Sequence, residues 1–516
     1  MGAFYKIIIS DYKQRTRSYA FLLTLAISLY AAYSFVPAAD AKYTTVRIGH
    51  YIGVQNSAWI GYVTAMMTSV FVSMIGFYLV NSGIKKDVDT GVGMIIATTS
   101  ISNFSYLFAK VWSNFLVLLS IAAMVFLMSI AVFFIRNTGY PFEPMQFILP
   151  YLIITIPTIL FISALAVVGE VFLYRYTIVM NIGYFIFFCA MGSLQAGNKT
   201  LFDLFGNTRV TAAMQETVLN QHHDTNLPLS MGFNFGGKKA LHTFVFDGLT
   251  WPVSAIAGRI LLICFGLLLI FVSSKFFHRF DIKERFKTKK KIKLAEIVLG
   301  VKPLQDIKLS ELPQIIPAYG IIPFIKTELL MLFRKGPRWL WLINLGGMVA
   351  LIFAPITVAH QMILPILWFL QVGRWSDLAT KEKTNRIHYF TYASYKPLTR
   401  LLPAQIIAGI IMAIALATPL LVRYLITMQF LSIVSIVTGA VFIVLFAVTL
   451  GILSGGKKLF EILFFFVTYL NIENVPFTDY FGGLNQGINY VALIAGLIGL
   501  LAVMSFTLRR IEIRRL

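Results

Sequence analysis

The sequence predicts an all-α polytopic membrane protein, and two observations carry that prediction. Of the 516 residues, 58% are apolar and only 13% are charged, and the mean hydropathy is +0.77. Apolar runs of roughly twenty residues recur along the chain, which is the length that a helix needs to cross a bilayer. We expect about twelve transmembrane helices, arranged as two six-helix repeats, with an N-terminal interfacial amphipathic helix in each half.

The formal net charge of +22 raises the question of a nucleic-acid partner. Basic residues that flank apolar spans follow the positive-inside rule of membrane proteins, and no nucleic-acid-binding module accompanies them. We therefore expect the lipid bilayer, and no nucleic acid, as the partner of this charge. Cys189 and Cys264 both lie in apolar runs, so the sequence gives no disulfide framework.

The first half begins with an amphipathic pattern. Phe4, Ile7, Ile8 and Tyr12 share one helical face, which predicts a helix lying at the membrane surface up to about Thr16. The apolar run that follows is succeeded by small residues, as in a cleavable signal peptide. It is long for that role, so we predict a retained helix.

Twelve spans are predicted in chain order, and an outer loop is expected at about 195–251, between the fifth and sixth spans. Pro150 and Pro157 in the fourth span predict a kink. The strongest charge run, HRFDIKERFKTKKKIK, lies in a basic cytoplasmic linker, 275–323, which separates a first half, 1–274, from a second half, 324–516. The spans lie at about Tyr19–Val36, Ala58–Val80, Val111–Ile135, Met145–Leu173, Ile178–Leu194, Pro252–Val272, Trp339–Ala359, Met362–Val372, Leu402–Val422, Phe430–Leu453, Leu459–Leu470 and Ile488–Leu508.

The start of the second half resembles the start of the first. Residues 4–21 align without gaps on residues 324–341, and the alignment pairs Arg15 with Lys335. Each copy has an amphipathic helix, a basic cluster, aromatic residues and an apolar span, in that order. In the twelve-span arrangement, the side carrying both termini has roughly four times as many Lys and Arg residues as the other side. We therefore expect a multi-pass protein of the plasma (inner) membrane with both termini in the cytoplasm.

Each half also has a long polar segment between its second and third spans, at 81–110 and 373–400. A connection that only reverses the chain needs a few residues. The same number of positions separates Asp87 from Lys110 as separates Asp377 from Arg400. Two equivalent cytoplasmic segments predict a partner with two equivalent faces.

The first segment carries an ordered motif with an apolar stretch in its middle. The motif residues are Lys86, Asp87, Asp89, Thr90, Gly91, Ser100, Ser102, Tyr106 and Lys110. Their order resembles the segment between the second and third spans of type-2 ABC exporter permeases, although Ser100 stands where that family usually has Pro. The second segment lacks the Thr-Gly pair, so its assignment depends mainly on position.

The resemblance implies two fused permease halves that form one transmembrane path. Separate ABC ATPase subunits, two of them, would dock on the two segments and bind ATP and magnesium, whereas this chain would bind no cofactor itself. Neither the resemblance nor the composition identifies the exported substrate. ATPase coupling is implied for the motif of the first segment and, in the second, for Asp377, Lys381, Tyr392, Ser394, Lys396 and Arg400.

Two segments approach a phosphate-binding loop, from Gly232 to Lys239 and from Gly451 to Lys458. Each has Lys where Ser or Thr must bind magnesium, and neither is expected between a strand and a helix. We interpret both as glycine turns and do not expect an enzyme. The His-His-Asp sequence at 222–224 lacks the spacing of a metal site, and we expect a solvated loop there.

Charges beside the predicted spans are few. We interpret Glu170, Arg175 and Arg259 as interfacial residues or as members of structural ion pairs. An ion- or proton-coupled secondary transporter also fits twelve spans in two halves, but it predicts short cytoplasmic hairpins and ionisable residues at mid-membrane. A non-transporting membrane scaffold or sensor is the third alternative. The long cytoplasmic segments favour the exporter permease.

Overall fold

The structure is a computed structural model, and it describes most of the chain. The described residues are 2–38, 41, 43–136, 139–173, 176–196, 203–224, 227–234, 242–277, 320–336, 339–472, 475, 478–484 and 487–515. Most of the predicted basic linker, together with Arg175 and the Gly237-Lys238-Lys239 sequence, therefore lies outside the described residues.

Helices account for most of the described structure up to the linker. The described helices of this part are α1 (Gly2–Thr16), α2 (Tyr19–Phe35), α3 (Ser57–Val80), α4 (Gly83–Thr90), α5 (Val92–Ala97), α6 (Asn103–Arg136), α7 (Pro144–Pro150), α8 (Ile156–Leu173), α9 (Thr177–Ala196), α10 (Thr208–His222) and α11 (Val253–Phe276). A π-helical turn, Tyr151–Thr155, joins α7 to α8.

The part of the chain after the linker is also helical. Its described helices are α12 (Ile322–Arg334), α13 (Trp339–Phe353), α14 (Ile356–Val358), α15 (Leu364–Phe369), α16 (Val372–Trp375), α17 (Lys381–Thr384), α18 (His388–Tyr392), α19 (Pro397–Ile426), α20 (Phe430–Ser454), α21 (Lys458–Ile472) and α22 (Ile488–Arg514). A second π-helical turn, Ala359–Ile363, joins α14 to α15.

Several helices have the length and hydropathy of membrane spans. Among the described residues, seven helical segments pass both criteria, or nine if each of two bent helix pairs counts as one span. One of those pairs is α1 with α2, which meet at 70°. Nine of the twelve predicted spans each coincide with one helix. The fourth covers α7, the first π-helical turn and α8, and the seventh and eighth are divided among α13 to α16 and the second π-helical turn. The number twelve and the two six-helix repeats stay predictions.

Helix α3 forms the centre of the bundle, because 94% of the most apolar stretch of Ser57–Thr90 is buried, against 11% for α22. Small residues recur every four positions along it, at Gly61, Ala65, Ser69 and Ser73, and all four are buried. Such spacing lets neighbouring helices approach closely. At Gly61 the approach is extreme, since an added Cβ would overlap the carbonyl oxygen of Gln146 in α7.

A small sheet lies beyond the N-terminal end of α3, which we call the sheet end of the bundle. Two parts of the predicted outer loop and the segment before α3 form four strands, β1 (Thr44–Ile48), β2 (Tyr51–Gly53), β3 (Leu229–Asn234) and β4 (His242–Phe244), in the order β3-β1-β2-β4. The β-branched run of β1 favours a strand. Its partner β3 is remote in the chain, so no local pattern revealed the pairing.

The predicted kink of the fourth span is a π-helical turn followed by Pro157. Because proline has no N–H, the carbonyl of Ile153 loses its helical partner. The guanidinium of Arg259 replaces that partner, since Nε donates to the Ile153 carbonyl at 3.0 Å and Nη2 donates to the Ile154 carbonyl at 2.9 Å. Arg259 is buried and, among the described residues, forms no ion pair, so its role is to satisfy backbone carbonyls rather than to snorkel.

The second half uses the same arrangement at Pro355. The carbonyl of Leu351, four residues earlier, accepts a hydrogen bond from Arg423 Nη1 at 2.7 Å, and the carbonyl of Ala354 accepts another at 2.8 Å. A π-helical turn again lies close by, at Ala359–Ile363. In each half, an arginine thus compensates for the backbone hydrogen bond that a proline removes.

Arg259→Lys is expected to destabilise the protein by about 2 kcal/mol, because lysine keeps the charge but loses the planar fork that reaches several carbonyls at once. The melting temperature of the purified protein in detergent measures this. Arg209→Lys is the matched control, since Arg209 is an exposed arginine of the same region. Equal melting temperatures for Arg259→Lys and the control would contradict the prediction.

Candidate partner-docking site

The first predicted coupling segment folds into two short helices beyond the C-terminal end of α3, which we call the α4 end of the bundle. Helix α4 ends and α5 begins at Gly91, whose φ of +76° lies in the left-handed region. Glycine adopts this conformation without strain, so the Thr-Gly pair of the motif sets the turn between the two helices.

The N-terminus of α4 is capped by a residue from another helix. Ser82, which precedes α4, offers no side-chain cap. The buried carboxylate of Glu170 in α8 accepts hydrogen bonds from the backbone N–H groups of Gly83 at 2.8 Å, Ile84 at 2.6 Å and Lys85 at 3.2 Å. A carboxylate at a helix N-terminus also gains from the helix dipole. Glu170 therefore fixes α4 to a predicted membrane span, a role that the sequence did not indicate.

Glu170→Gln is expected to speed hydrogen exchange at the first amides of α4 by about tenfold, because the neutral amide is a weaker acceptor and loses the dipole interaction. Hydrogen exchange followed by mass spectrometry of the peptide covering 82–90 measures it. Glu143→Gln, an exposed position at the sheet end, is the control and should leave this peptide unchanged. Unchanged exchange in Glu170→Gln would contradict the capping role.

Asp87, Tyr106 and Lys110 of the motif form one buried cluster. The ammonium of Lys110 lies 2.7 Å from Asp87 Oδ2 and 2.6 Å from Asp11 Oδ2, and Tyr106 donates to Asp87 Oδ2 at 2.7 Å. The Lys110 side chain is only 2% exposed. These three motif residues thus join α1, α4 and α6 and do not themselves present a surface to a partner.

The remaining motif residues lie at or near the surface, and apolar side chains are exposed beside them. Lys86, Asp89, Thr90, Ser100 and Ser102 are exposed, and Gly91 is partly exposed. On α5, Val92 is 43% exposed, Met94 39% and Ile95 68%. We call Val92, Met94 and Ile95 the α5 patch.

The second segment forms the short helices α16, α17 and α18. Asp377 lies 2.6 Å from Lys335 and 2.6 Å from Lys457, so it pairs with neither Arg400 nor any residue of its own segment. The equal spacing of the two acid–base pairs in the sequence therefore does not produce equal contacts. Lys335 follows α12, whose counterpart in the alignment is α1. Lys335 forms an ion pair with Asp377 of the second segment, and Asp11 of α1 forms one with Lys110 of α6, the helix that follows the first segment.

The other predicted residues of the second segment divide between packing and surface positions. Lys381 pairs with Glu328 of α12, and the buried ring of Tyr392 lies under the guanidinium of Arg509 at 4.9 Å. Arg400 stacks over the ring of Phe324 at 4.8 Å. Ser394 and Lys396 are exposed, as are the apolar side chains of Tyr389 (63%) and Phe390 (83%), which we call the α18 patch.

The cluster at Asp377 perturbs the pKa values of its members. Burial lowers the pKa of Lys335 to about 8, against the attraction of Asp377. Burial alone would raise the pKa of Asp377, but the ammonium groups of Lys335 and Lys457 outweigh it, so this pKa lies below its ordinary value. Asp377 is therefore a charged anchor for two cations at neutral pH.

The contribution of Lys335 to stability is expected to rise with pH. Its pKa of about 8 in the folded protein lies below the ordinary value of 10.5, so between these values the unfolded chain binds more protons than the folded one. Stability then increases by at most about 1.4 kcal/mol per pH unit from this group. The melting temperature of the wild type minus that of Lys335→Met should grow between pH 8 and pH 9.5. A constant difference would contradict this assignment.

A polar network joins the two halves at the α4 end. Lys458 of α21 donates to the backbone carbonyls of Leu79, at 3.2 Å, and of Asn81. Asn81 donates to Asn181 at 2.7 Å, and Asn181 donates to Glu461 of α21 at 3.2 Å. We call this set the inter-half network. Sequence reasoning missed it because its members are far apart, with 377 positions between Asn81 and Lys458.

The remaining candidates from the sequence have structural surroundings. Gly451 lies inside α20, so the segment up to Lys458 is a helix end rather than a loop after a strand. The ring of His222 packs against Tyr51, with centroids 4.6 Å apart. A cavity of about 560 Å³ lies between α8, α9 and α11. Arg259 lines this cavity, and its guanidinium donates hydrogen bonds to backbone carbonyls.

Comparison with known proteins adds no relative: no family model, no curated protein and no solved structure matches the chain significantly. Functional inference therefore depends on the residues and contacts described above.

Proposed function

We propose that the chain is the permease of an ATP-driven exporter, with separate ABC ATPase subunits docking on the two coupling segments. One observation carries this proposal. The α5 patch is exposed on the helix pair α4 and α5, and buried contacts of Glu170 and Asp87 fix this pair to the bundle. An exposed apolar patch on a firmly anchored element is typical of an interaction site. The anchors would transmit a displacement of the patch to the spans.

The transmission follows the contacts of α4. Glu170 ties the N-terminus of α4 to α8, and Asp87 ties its middle to Lys110 of α6 and, through Lys110, to α1. A force applied at the α5 patch therefore reaches three helices of the first half. In the second half, Lys381 connects the segment to Glu328 of α12. Asp377 connects it to Lys335, which follows α12, and to Lys457, which precedes α21. Coupling between sites needs such rigid connections.

The finer features of the proposal come from the sequence. They are twelve spans in two six-helix halves, cytoplasmic coupling segments and termini, a location in the plasma (inner) membrane, and ATP with magnesium on two partner subunits. Those subunits would dock on the α5 patch and on the α18 patch. The substrate is undefined.

Site-specific photo-cross-linking in cells tests the proposal. A photoreactive amino acid at Ile95 or at Phe390 is expected to cross-link to an ATP-binding subunit, identified by mass spectrometry. The same amino acid at Phe353, 81% exposed on α13, is the control and should cross-link to lipid only. Lipid adducts alone at all three positions would overturn the proposal.

A proton-coupled secondary transporter is the second candidate, and the inter-half network is the observation that favours it. Glu461 is partly buried, and its carboxylate accepts hydrogen bonds from Asn181 of the first half and from Ser376 of the second half. In liposomes containing the chain alone, a proton-driven carrier would change the labelling of a cysteine at Ser82 when a pH gradient is imposed, and Glu461→Gln would abolish the change. The exporter permease is expected to show no response.

A further inference from the structure

A cavity of about 210 Å³ lies at the α4 end, where the two halves meet. Its walls come from the end of α1, the start of α2, the connection from α3 to α4, and the connection from α20 to α21. It is separate from the α5 and α18 patches, since none of their residues lines it. It also has space for several water molecules or for one compact polyatomic anion.

The charged lining of this cavity is strongly unbalanced. Four basic residues line it, Arg15, Lys86, Lys457 and Lys458, against the single carboxylate of Asp11. Asp11 pairs with Lys110, and Lys457 pairs with Asp377.

Three basic residues remain around the cavity, and the neighbouring carboxylates are occupied elsewhere. Of these, Lys458 also donates to the backbone carbonyls of Leu79 and Asn81. In the part of the chain that the structure describes, no carboxylate lies within ion-pair distance of Arg15, Lys86 or Lys458. Glu170 caps α4, and Glu461 bonds to Asn181 and Ser376. Arg15 donates to the carbonyl of Val80 at 2.7 Å and to Asn114 at 2.6 Å, which orients it but leaves its charge uncompensated.

The uncharged lining suits an anion with an apolar part. The hydroxyl group of Ser82 lines the cavity and offers a donor, whereas the hydroxyl of Ser18 donates to the carbonyl of Arg15 at 2.7 Å. Phe21, Leu79 and Leu459 give the cavity an apolar wall. The sequence predicts that α1 lies at the membrane surface, and that location would place the cavity near the depth of lipid phosphates.

We propose that this cavity binds a phosphate group, either of an anionic lipid or of a free phosphate-containing anion. Lys and Arg side chains bind phosphate through charge-assisted hydrogen bonds, and three of them face the cavity without a carboxylate. Arg15 and Lys86 belong to the first half and Lys458 to the second, so a bound phosphate bridges the halves and offsets their mutual repulsion. This inference does not depend on the exporter proposal.

Lipid binding to the purified full-length protein tests the site. In detergent micelles, dioleoyl phosphatidylglycerol and dioleoyl phosphatidic acid are expected to raise the melting temperature, whereas dioleoyl phosphatidylcholine is not. Lys86→Gln, which changes an exposed side chain and should not affect folding, is expected to weaken the apparent affinity by about tenfold. Lys13→Gln, an exposed lysine of α1 outside the cavity, is the matched control and should have little effect.

A second set of measurements separates the two sources of phosphate. Inorganic phosphate is titrated under the same conditions, and its competition with the lipid is measured. If the site binds lipid, millimolar phosphate is expected to leave the stabilisation by lipid unchanged. If the site binds free phosphate, phosphate itself stabilises the protein and abolishes the lipid effect. Either result supports the site if Lys86→Gln selectively weakens the binding.

Two results would overturn the proposal. One is an equal loss of affinity in Lys86→Gln and Lys13→Gln, since general surface electrostatics would then explain the binding. The other is the absence of any stabilisation by the anionic lipids and by phosphate. Lys458→Gln supports the bridging role if it weakens binding while keeping a single folded species in size-exclusion chromatography.

Discussion

Lys110→Met is expected to lower the free energy of unfolding by about 3–5 kcal/mol, because it leaves two carboxylates without their cation. The ammonium of Lys110 lies 2.6 Å from Asp11 and 2.7 Å from Asp87, and its side chain is only 2% exposed. Methionine fills a similar volume, so the loss of charge rather than a cavity causes the effect. The melting temperature in detergent and the fraction of monodisperse protein measure it.

Two further variants isolate the cause. Lys13→Met removes an exposed lysine from α1 and is expected to be neutral. In the triple variant Asp11→Asn, Asp87→Asn and Lys110→Met, no buried charge is left unpaired, so we expect it to recover much of the stability. If the triple variant were less stable than Lys110→Met, the unpaired carboxylates would not be the cause.

Gly61→Ala is expected to prevent correct folding or to cost about 4 kcal/mol or more, although the same change in an ordinary helix stabilises by up to about 1 kcal/mol. A Cβ at Gly61 would overlap the carbonyl oxygen of Gln146 and lie 2.9 Å from its carbonyl carbon. Both atoms belong to the backbone of α7, so no rotamer change relieves the overlap. The yield of folded protein in fluorescence-detected size-exclusion chromatography measures the effect.

Gly183→Ala is the control for this prediction. Gly183 also lies in a helix, but nothing lies within 4 Å of the position that its Cβ would occupy. It should fold at least as well as the wild type. Wild-type yield and melting temperature for Gly61→Ala would show that α3 and α7 do not approach each other as the structure has them.

The helices could be predicted because a run of roughly twenty apolar residues is the local sequence signature of a helix in apolar surroundings. Nine of the predicted spans each coincide with one helix, whereas the seventh is interrupted at Pro355. The ends were less accurate, and α6 begins at Asn103 rather than near Val111, because its first turns are polar on one side and buried on the other. The sheet was not predicted, since β1 and β3 are remote in the chain and each strand alone is too short to be distinctive.

The position of the first segment between two apolar helices could be predicted from the sequence, but its contacts could not. The motif from Lys86 to Lys110 covers α4, α5 and the first turns of α6, and Gly91 lies at the turn that its residue type favours. Coupling of this segment to an ATPase stays a prediction. Sequence spacing could not reveal that Asp87 and Lys110 are buried against Asp11, because α1 lies almost a hundred residues away from α6. The sequence predicts an interfacial or ion-paired role for Glu170 and a glycine turn at Lys458, and only the packing of distant helices gives these residues the partners that they have in the structure.

The small sheet has a consequence for the order in which the chain is made. The side chain of Asn56 donates to the carbonyl of Phe246, which is 190 positions later, and β1 is held by β3 across a similar separation. During synthesis, β1 is therefore made long before β3, with the helices α3 to α10 between them. A chain interrupted before β3 would carry an unpaired strand edge, which favours aggregation. The sheet can therefore form completely only after the last of its strands, β4, has been made.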